Sequence, residues 1–133
     1  MTNDERCHRH MSSDSSCPVC HYPFETVLHA LRDCDAAQEI WLQILPEALL
    51  RPFFDCNLQQ WISCNLSATM VDPLSTLPWK LVFVSLAWQI WKRRNDLVFQ
   101  DSSSMSYMAV ISRSLAWARR YFEGATARQP PSV

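Results

Sequence analysis

The chain has 133 residues and nearly balanced charge, 12 Lys and Arg against 13 Asp and Glu, a length that suits one ordinary domain with a real core. Hydrophobic residues make up 48% and include six Trp and six Phe, which excludes a disordered chain and supplies large packing units. A single glycine, Gly124, excludes glycine-rich phosphate loops and nucleotide-binding fingerprints, and with few alternating apolar runs the fold class reads as mainly α.

Residues 1–16 are polar and Ser-rich and are expected to form a loose lead-in. A Cys/His stretch follows, and Glu25 to Asp33 reads as a short helix with Val27, Leu28 and Leu31 on its apolar side. Asp35 is a candidate N-cap for a second helix, with Gln38 as its capping-box partner and Ala37, Ile40, Trp41, Ile44 and Leu45 at helical spacing up to Pro46. Asp55 is the candidate cap of a third, in which Cys56 and Cys64 read as small buried hydrophobes beside Leu58, Trp61, Ile62 and Leu66. The longest predicted helix runs from about Pro78 to Phe99, with Pro78 tolerated in its first turn. Its first half is apolar almost all round, as in a helix buried on several sides. A last helix is expected from Ser102 or Ser103, with Arg119 and Arg120 in its final turn and Gly124 as its stop. Residues 124–133 read as a disordered tail.

The N-terminus MTNDERCHRH is polar and charged, which argues against secretion, and the apolar run Leu81–Trp91 is far shorter than the roughly twenty residues a membrane span needs. An intracellular chain, nuclear or cytoplasmic, is the expectation. There, six cysteines point to metal or free thiols rather than a disulfide framework.

The chemistry concentrates in SCPVCHYPFETVLHALRDC, Ser16 to Cys34. Cys17, Cys20, His29 and Cys34 are typed and spaced as four ligands of one metal ion, because a two-residue gap lets a tight turn present two thiolates. On a continuous helix, positions 29 and 34 point about 140° apart at roughly 100° per residue, so the helix must break between them. Three thiolates and one imidazole leave no open coordination position, which describes one structural Zn2+ rather than a catalytic one. Ser16 and Val19 are candidate N–H donors to the sulfurs.

Cys17-Pro18-Val19-Cys20-His21 also reads as a haem-attachment pentapeptide, but that leaves His29 and Cys34 without a role. A redox dithiol would open a helix in a βαβ unit, and no strand signal surrounds it. Four ordinary buried side chains are the bland alternative. His21 competes with His29 as a ligand, and Cys7, His8 and His10 lack a fourth donor at sensible spacing. No catalytic triad or carboxylate pair stands out.

With those residues in view, the stretch resembles the zinc-binding domain of the reverse transcriptase polyproteins of plant non-LTR (LINE-type) retrotransposons. The residues carrying the resemblance are Thr2-Asn3, Arg6, Arg9, Cys17, Cys20, Glu25-Thr26, His29, Cys34, Ala36-Ala37 and Trp41. The segment from Trp88 to Phe99, containing Trp91-Lys92-Arg93-Arg94-Asn95, is similar to the link towards a ribonuclease H domain in the same polyproteins. The resemblance implies a fragment without the polymerase and nuclease domains, hence no enzyme. It implies a zinc-stapled N-terminal knuckle over 1–50, followed over 51–123 by a helical bundle like that linker.

A role near RNA or DNA follows from the same resemblance, with Arg6, Arg9, Lys92, Arg93 and Arg94 as the phosphate contacts. Few aromatics are expected to lie exposed beside basic residues, so no stacking platform for single strands is evident. The alternative is a protein-interaction module that self-associates through the apolar Trp79–Trp91 helix.

Overall fold

The computed structural model describes residues 2–10, 13–99 and 106–127. Helices account for all its regular elements, apart from one isolated antiparallel bridge between Val71 and Pro78. Among the described residues six α-helices follow one another: α1 Asn3–His8, α2 Asp35–Ile44, α3 Leu50–Asp55, α4 Leu58–Ser67, α5 Trp79–Phe99 and α6 Tyr107–Ala127, with a π-helical turn at His29–Asp33 and a 3-10 turn at Glu47–Leu49. The fold is therefore mainly α, with a Cys/His knuckle at the front and helices behind it.

The core is aromatic. Trp41 of α2 meets Phe53 of α3, Trp61 of α4 and Phe83 of α5 at ring-centroid distances of 4.9, 5.9 and 5.8 Å. Most of these pairs are tilted or edge-on, the arrangements that ring quadrupoles favour. Trp41 Nε1 donates to the Leu31 carbonyl at 2.8 Å, and Trp79 Nε1 to Asn65 Oδ1 at 2.9 Å, so these indoles bury their bulk without stranding a donor. Ala37, Ile40 and Ile44 complete the buried stripe of α2 at the expected spacing. α5 buries Trp79, Val82, Phe83, Leu86 and Ile90. α6 lies against it, where Ser85 Oγ donates to the Ser114 carbonyl at 2.6 Å.

Several local expectations give way. Within the lead-in, residues 2–10 are not loose: Thr2 and Glu5 form a capping box for α1, and the helix is tied to the knuckle through Asn3. Asp35 is not a cap but the first residue of α2, whose N-cap is Cys34. Asp55 closes α3, and α4 is capped by Asn57 with Gln60 as partner, because an Asn immediately before Leu58 is better placed to serve the orphan amides of the first turn. Cys64 is exposed, and Cys56 follows α3 as its C-cap with its Sγ 2.8 Å from the Pro52 carbonyl. α6 runs through Gly124 to Ala127, and the proposed start at Ser102 or Ser103 lies outside the described residues. Ser106 stands at the visible start, its Oγ accepting from Ala109 N–H at 3.2 Å.

Candidate metal centre

The knuckle is a tight loop closed by its own backbone. Cys17 N–H donates to the Tyr22 carbonyl at 2.8 Å, and His21 N–H donates back to the Cys17 carbonyl at 2.9 Å. His21 takes the left-handed region (φ 67°), which turns the chain sharply and leaves its side chain exposed. The N–H groups of Val19 and Cys20, rather than that of Ser16, support the Cys17 sulfur.

The other half of the cluster depends on the π-helical turn. Thr26 Oγ1 accepts from His29 N–H at 3.0 Å, starting the helical stretch, and Cys34 N–H donates to the His29 carbonyl at 2.7 Å. That i→i+5 bond is the widened turn of a π-helix. Residue 34 thus lies about one full turn on from residue 29 instead of on the far side of a regular helix. Cys34 then becomes extended (ψ 139°) and hands the chain to α2. The required break is present, made by a wide turn rather than by a capping aspartate.

Cys17, Cys20, His29 and Cys34 consequently meet, with their ligand atoms all within 4.8 Å of one another, close enough to hold a metal ion. Cys17 Sγ lies 3.9 Å from Cys34 Sγ, and Cys20 Sγ 3.2 Å from His29 Nε2. The 3.9 Å separation is far beyond a disulfide bond of about 2.05 Å. Cys17, His29 and Cys34 are buried, whereas Cys20 is half-buried. Burial pushes the Cys17 thiol up and the Cys34 thiol up to about 12, and it holds His29 below its ordinary value. These shifts describe a pocket that resists charge until a cation enters to balance it. The Tyr22 ring stacks on His29 at 4.8 Å and 15°, fixing the imidazole plane.

His21 is not part of the group, and Cys7, His8 and His10 form no second one among the described residues. With Cys17 buried against Cys34, and His29 and Cys34 both engaged, the haem-attachment reading loses its basis.

Two residues to which the sequence assigned no role in the centre hold it in place. Glu25 is fully buried; its carboxylate accepts from Asn3 N–H at 2.8 Å and from Arg94 of α5 at 2.5 and 2.9 Å. Arg32, also buried, donates from Nη1 to the Cys56 carbonyl at 2.6 Å and pairs with Asp33, tying the π-turn to the end of α3. The signal for Glu25 was its place in the Glu25-Thr26 dipeptide, and for Arg94 its place in the Trp91–Asn95 segment, but nothing in either spacing joined them.

Of the five predicted phosphate contacts, Arg9 and Lys92 are exposed, Arg6 and Arg93 half-buried, and Arg94 buried with only 4% of its surface open. Arg94 is committed to Glu25 and is removed from a phosphate-binding role. Arg93 lies with its guanidinium 4.9 Å from the Tyr107 ring centre.

A mainly helical chain with a buried Cys/His cluster is the class that fold and site define. Among curated proteins, the chain is 34% identical over 103 residues to an Arabidopsis thaliana protein named "Putative ribonuclease H protein At1g65750". The match covers 77% of this chain and 16% of that protein, so the chain spans about a sixth of its relative's length. No protein-family model matches, and no solved structure matches. Among the described residues, no helix is long and apolar enough to cross a membrane.

Proposed function

We propose that the chain is a non-catalytic structural zinc-binding module of the kind found in plant retrotransposon polyproteins, placed to assist nucleic-acid binding. The observation that carries this reading is the convergence of Cys17, Cys20, His29 and Cys34 within 4.8 Å. Zinc suits the donor set. Zn–S bonds of about 2.3 Å at tetrahedral angles put sulfurs about 3.8 Å apart, and Cys17 and Cys34 stand at 3.9 Å. Three thiolates and one neutral imidazole would fill all four positions, so a bound Zn2+ supplies folding energy and no open site for chemistry. The relative's name, "Putative ribonuclease H protein", agrees with the likeness of Trp88 to Phe99 to a segment leading towards a ribonuclease H domain, and the exposed Arg9 and Lys92, with Arg6 and Arg93, are the remaining candidates for phosphate contact.

Metal analysis tests it. The purified chain should carry about one zinc per molecule, and Cys34→Ser should lose it together with helix content. An unchanged metal content in that variant would remove Cys34 as a ligand.

One observation favours a second reading, a protein-interaction module. An apolar groove of about 470 Å³ lies between α4, α5 and the front of the chain, lined by Val27, Leu31, Ile62, Leu66, Val84 and Trp88. Its α5 wall belongs to the predicted self-association helix. Dimerisation in ultracentrifugation, abolished by Ile62→Asp, would support this alternative.

A further inference from the structure

From the geometry of α5 and α6 we infer a stacking slot for a base of single-stranded nucleic acid between Trp88 and Trp117. Both indoles are open to solvent, at 57% and 46% exposure, unlike Trp41, Trp61 and Trp79, which are fully buried. They face a cleft of about 280 Å³ whose remaining lining is Val84, Ser85 and Gln89. The cleft is apolar on its walls and carries one free amide at its rim. The Ser85 hydroxyl is already bonded to Ser114 and adds no competing polarity. Trp117 also stacks on Tyr121, itself 56% exposed, with ring centroids 5.5 Å apart and planes 13° from parallel.

Charge selects the ligand. Lys92 stands one turn after Trp88 on α5, Arg113 one turn before Trp117 on α6, and Arg120 three residues after it, positions that share a face with their tryptophan. All three are exposed, and none makes an ion pair among the described residues. The acidic residues of the two helices, Asp96 and Glu123, are outnumbered by these and by Lys80, Arg93 and Arg119. Aromatic faces flanked by basic side chains recognise a polyanion whose bases can unstack, which describes a single strand and not a duplex. The expectation that few aromatics lie exposed beside basic residues gives way at this face, where Trp88, Trp117 and Tyr121 are all exposed.

This inference rests on the nucleic-acid part of the proposed function but uses residues outside both the knuckle and the predicted phosphate contacts, Lys92 excepted. The test is fluorescence anisotropy of labelled oligo(dT) and oligo(U) with the zinc-supplemented full chain, over a salt series. Trp88→Ala and Trp117→Ala should each weaken binding on the order of tenfold or more, and Trp88→Phe should retain most of it. Arg113→Gln should lower the slope of log affinity against log salt by about 0.7. Both tryptophans are exposed, so the variants should keep the wild-type circular dichroism spectrum.

If both alanine variants bind like wild type while Arg9→Gln binds more weakly, the slot is overturned and the wider nucleic-acid role stands. Absence of binding by the wild-type chain overturns both. If Trp88→Ala instead turns a dimer into a monomer without altering oligonucleotide binding, the face belongs to a second copy of the chain and the inference fails.

Discussion

The carboxylate of Glu25 receives Arg94 through two parallel hydrogen bonds, Nε to Oε2 at 2.9 Å and Nη2 to Oε1 at 2.5 Å, across 69 residues of sequence. Glu25 is 0% exposed and Arg94 4%. The pair joins the loop that presents Cys17 and Cys20 to α5, and Glu25 Oε1 also holds α1 through Asn3 N–H. Two planar groups meeting edge to edge give a direction as well as a charge match, which suits a clamp that must set the angle of a small loop.

Because both partners are out of water, deleting either one leaves an uncompensated buried charge. Arg94→Met should destabilise the chain by about 3–5 kcal/mol, whereas the double variant Glu25→Gln/Arg94→Met should recover part of that loss. Urea midpoints of the two singles and the double give the coupling directly. Equal and additive losses would mean that the two side chains do not act as a pair. Lys at position 94 should not substitute, since an ammonium cannot reproduce the two-pronged contact.

Stability against pH should change character when metal is removed. In the metal-free chain, burial raises the Cys34 thiol from 9.0 to about 12 and raises Cys17 in the same direction. A folded value above the unfolded one contributes stability that is fully present below about pH 9 and is lost as pH rises towards 12, because the unfolded chain sheds protons that the folded chain keeps. His29 is shifted down by burial, so its contribution is retained above about pH 6.5 and lost as pH falls below it. The urea midpoint of chelator-treated protein should therefore fall as pH rises from about 9 towards 12. Zinc-loaded protein should show no such drop there, since its thiols are already ionised on the metal, and should weaken instead towards acid as protons compete for the ligands. Superimposable curves with and without chelator would exclude metal ligation by these cysteines.

How much of this was legible in the sequence depends on the range of the forces involved. The four donors were readable because residue type and local spacing carry most of a metal knuckle, and even the break between His29 and Cys34 followed from helix geometry alone. Its form did not. A π-helical turn arises from how Cys34 N–H reaches the His29 carbonyl, and no residue type announces that bond. The α2 stripe was readable as periodicity, and the buried set Ala37, Ile40, Trp41 and Ile44 follows it, whereas the first half of α5 read as apolar almost all round and gave no sign that Val84 and Trp88 would be left exposed. Caps were less legible because Asp35, Asp55 and Asn57 all offer a suitable oxygen, and tertiary packing decides which one sits at the boundary. Arg94 shows the clearest failure. In sequence it belongs to the run Lys92-Arg93-Arg94 and looks like surface charge, yet its partner is 69 positions away and only the fold brings them together. The slot flanked by Trp88 and Trp117 was hidden for the same reason, since apolar residues on two helices do not reveal which of them the bundle leaves uncovered.

Gly124 was read as a helix stop and is instead an interior residue of α6, which continues to Ala127. It has no positive φ, and a Cβ added there would meet nothing within 4 Å. Neither backbone strain nor packing therefore requires glycine at this position. What remains is its entropic cost: glycine in a helix is about 0.8–1.0 kcal/mol less favourable than alanine. Because the last turns of α6 are exposed and close to the end of the helix, part of that difference is lost to fraying. Gly124→Ala should stabilise the chain by roughly 0.3–0.8 kcal/mol and raise its helical circular dichroism slightly, without changing metal content. A loss of stability would show that position 124 ends the helix after all, in a left-handed conformation that alanine resists.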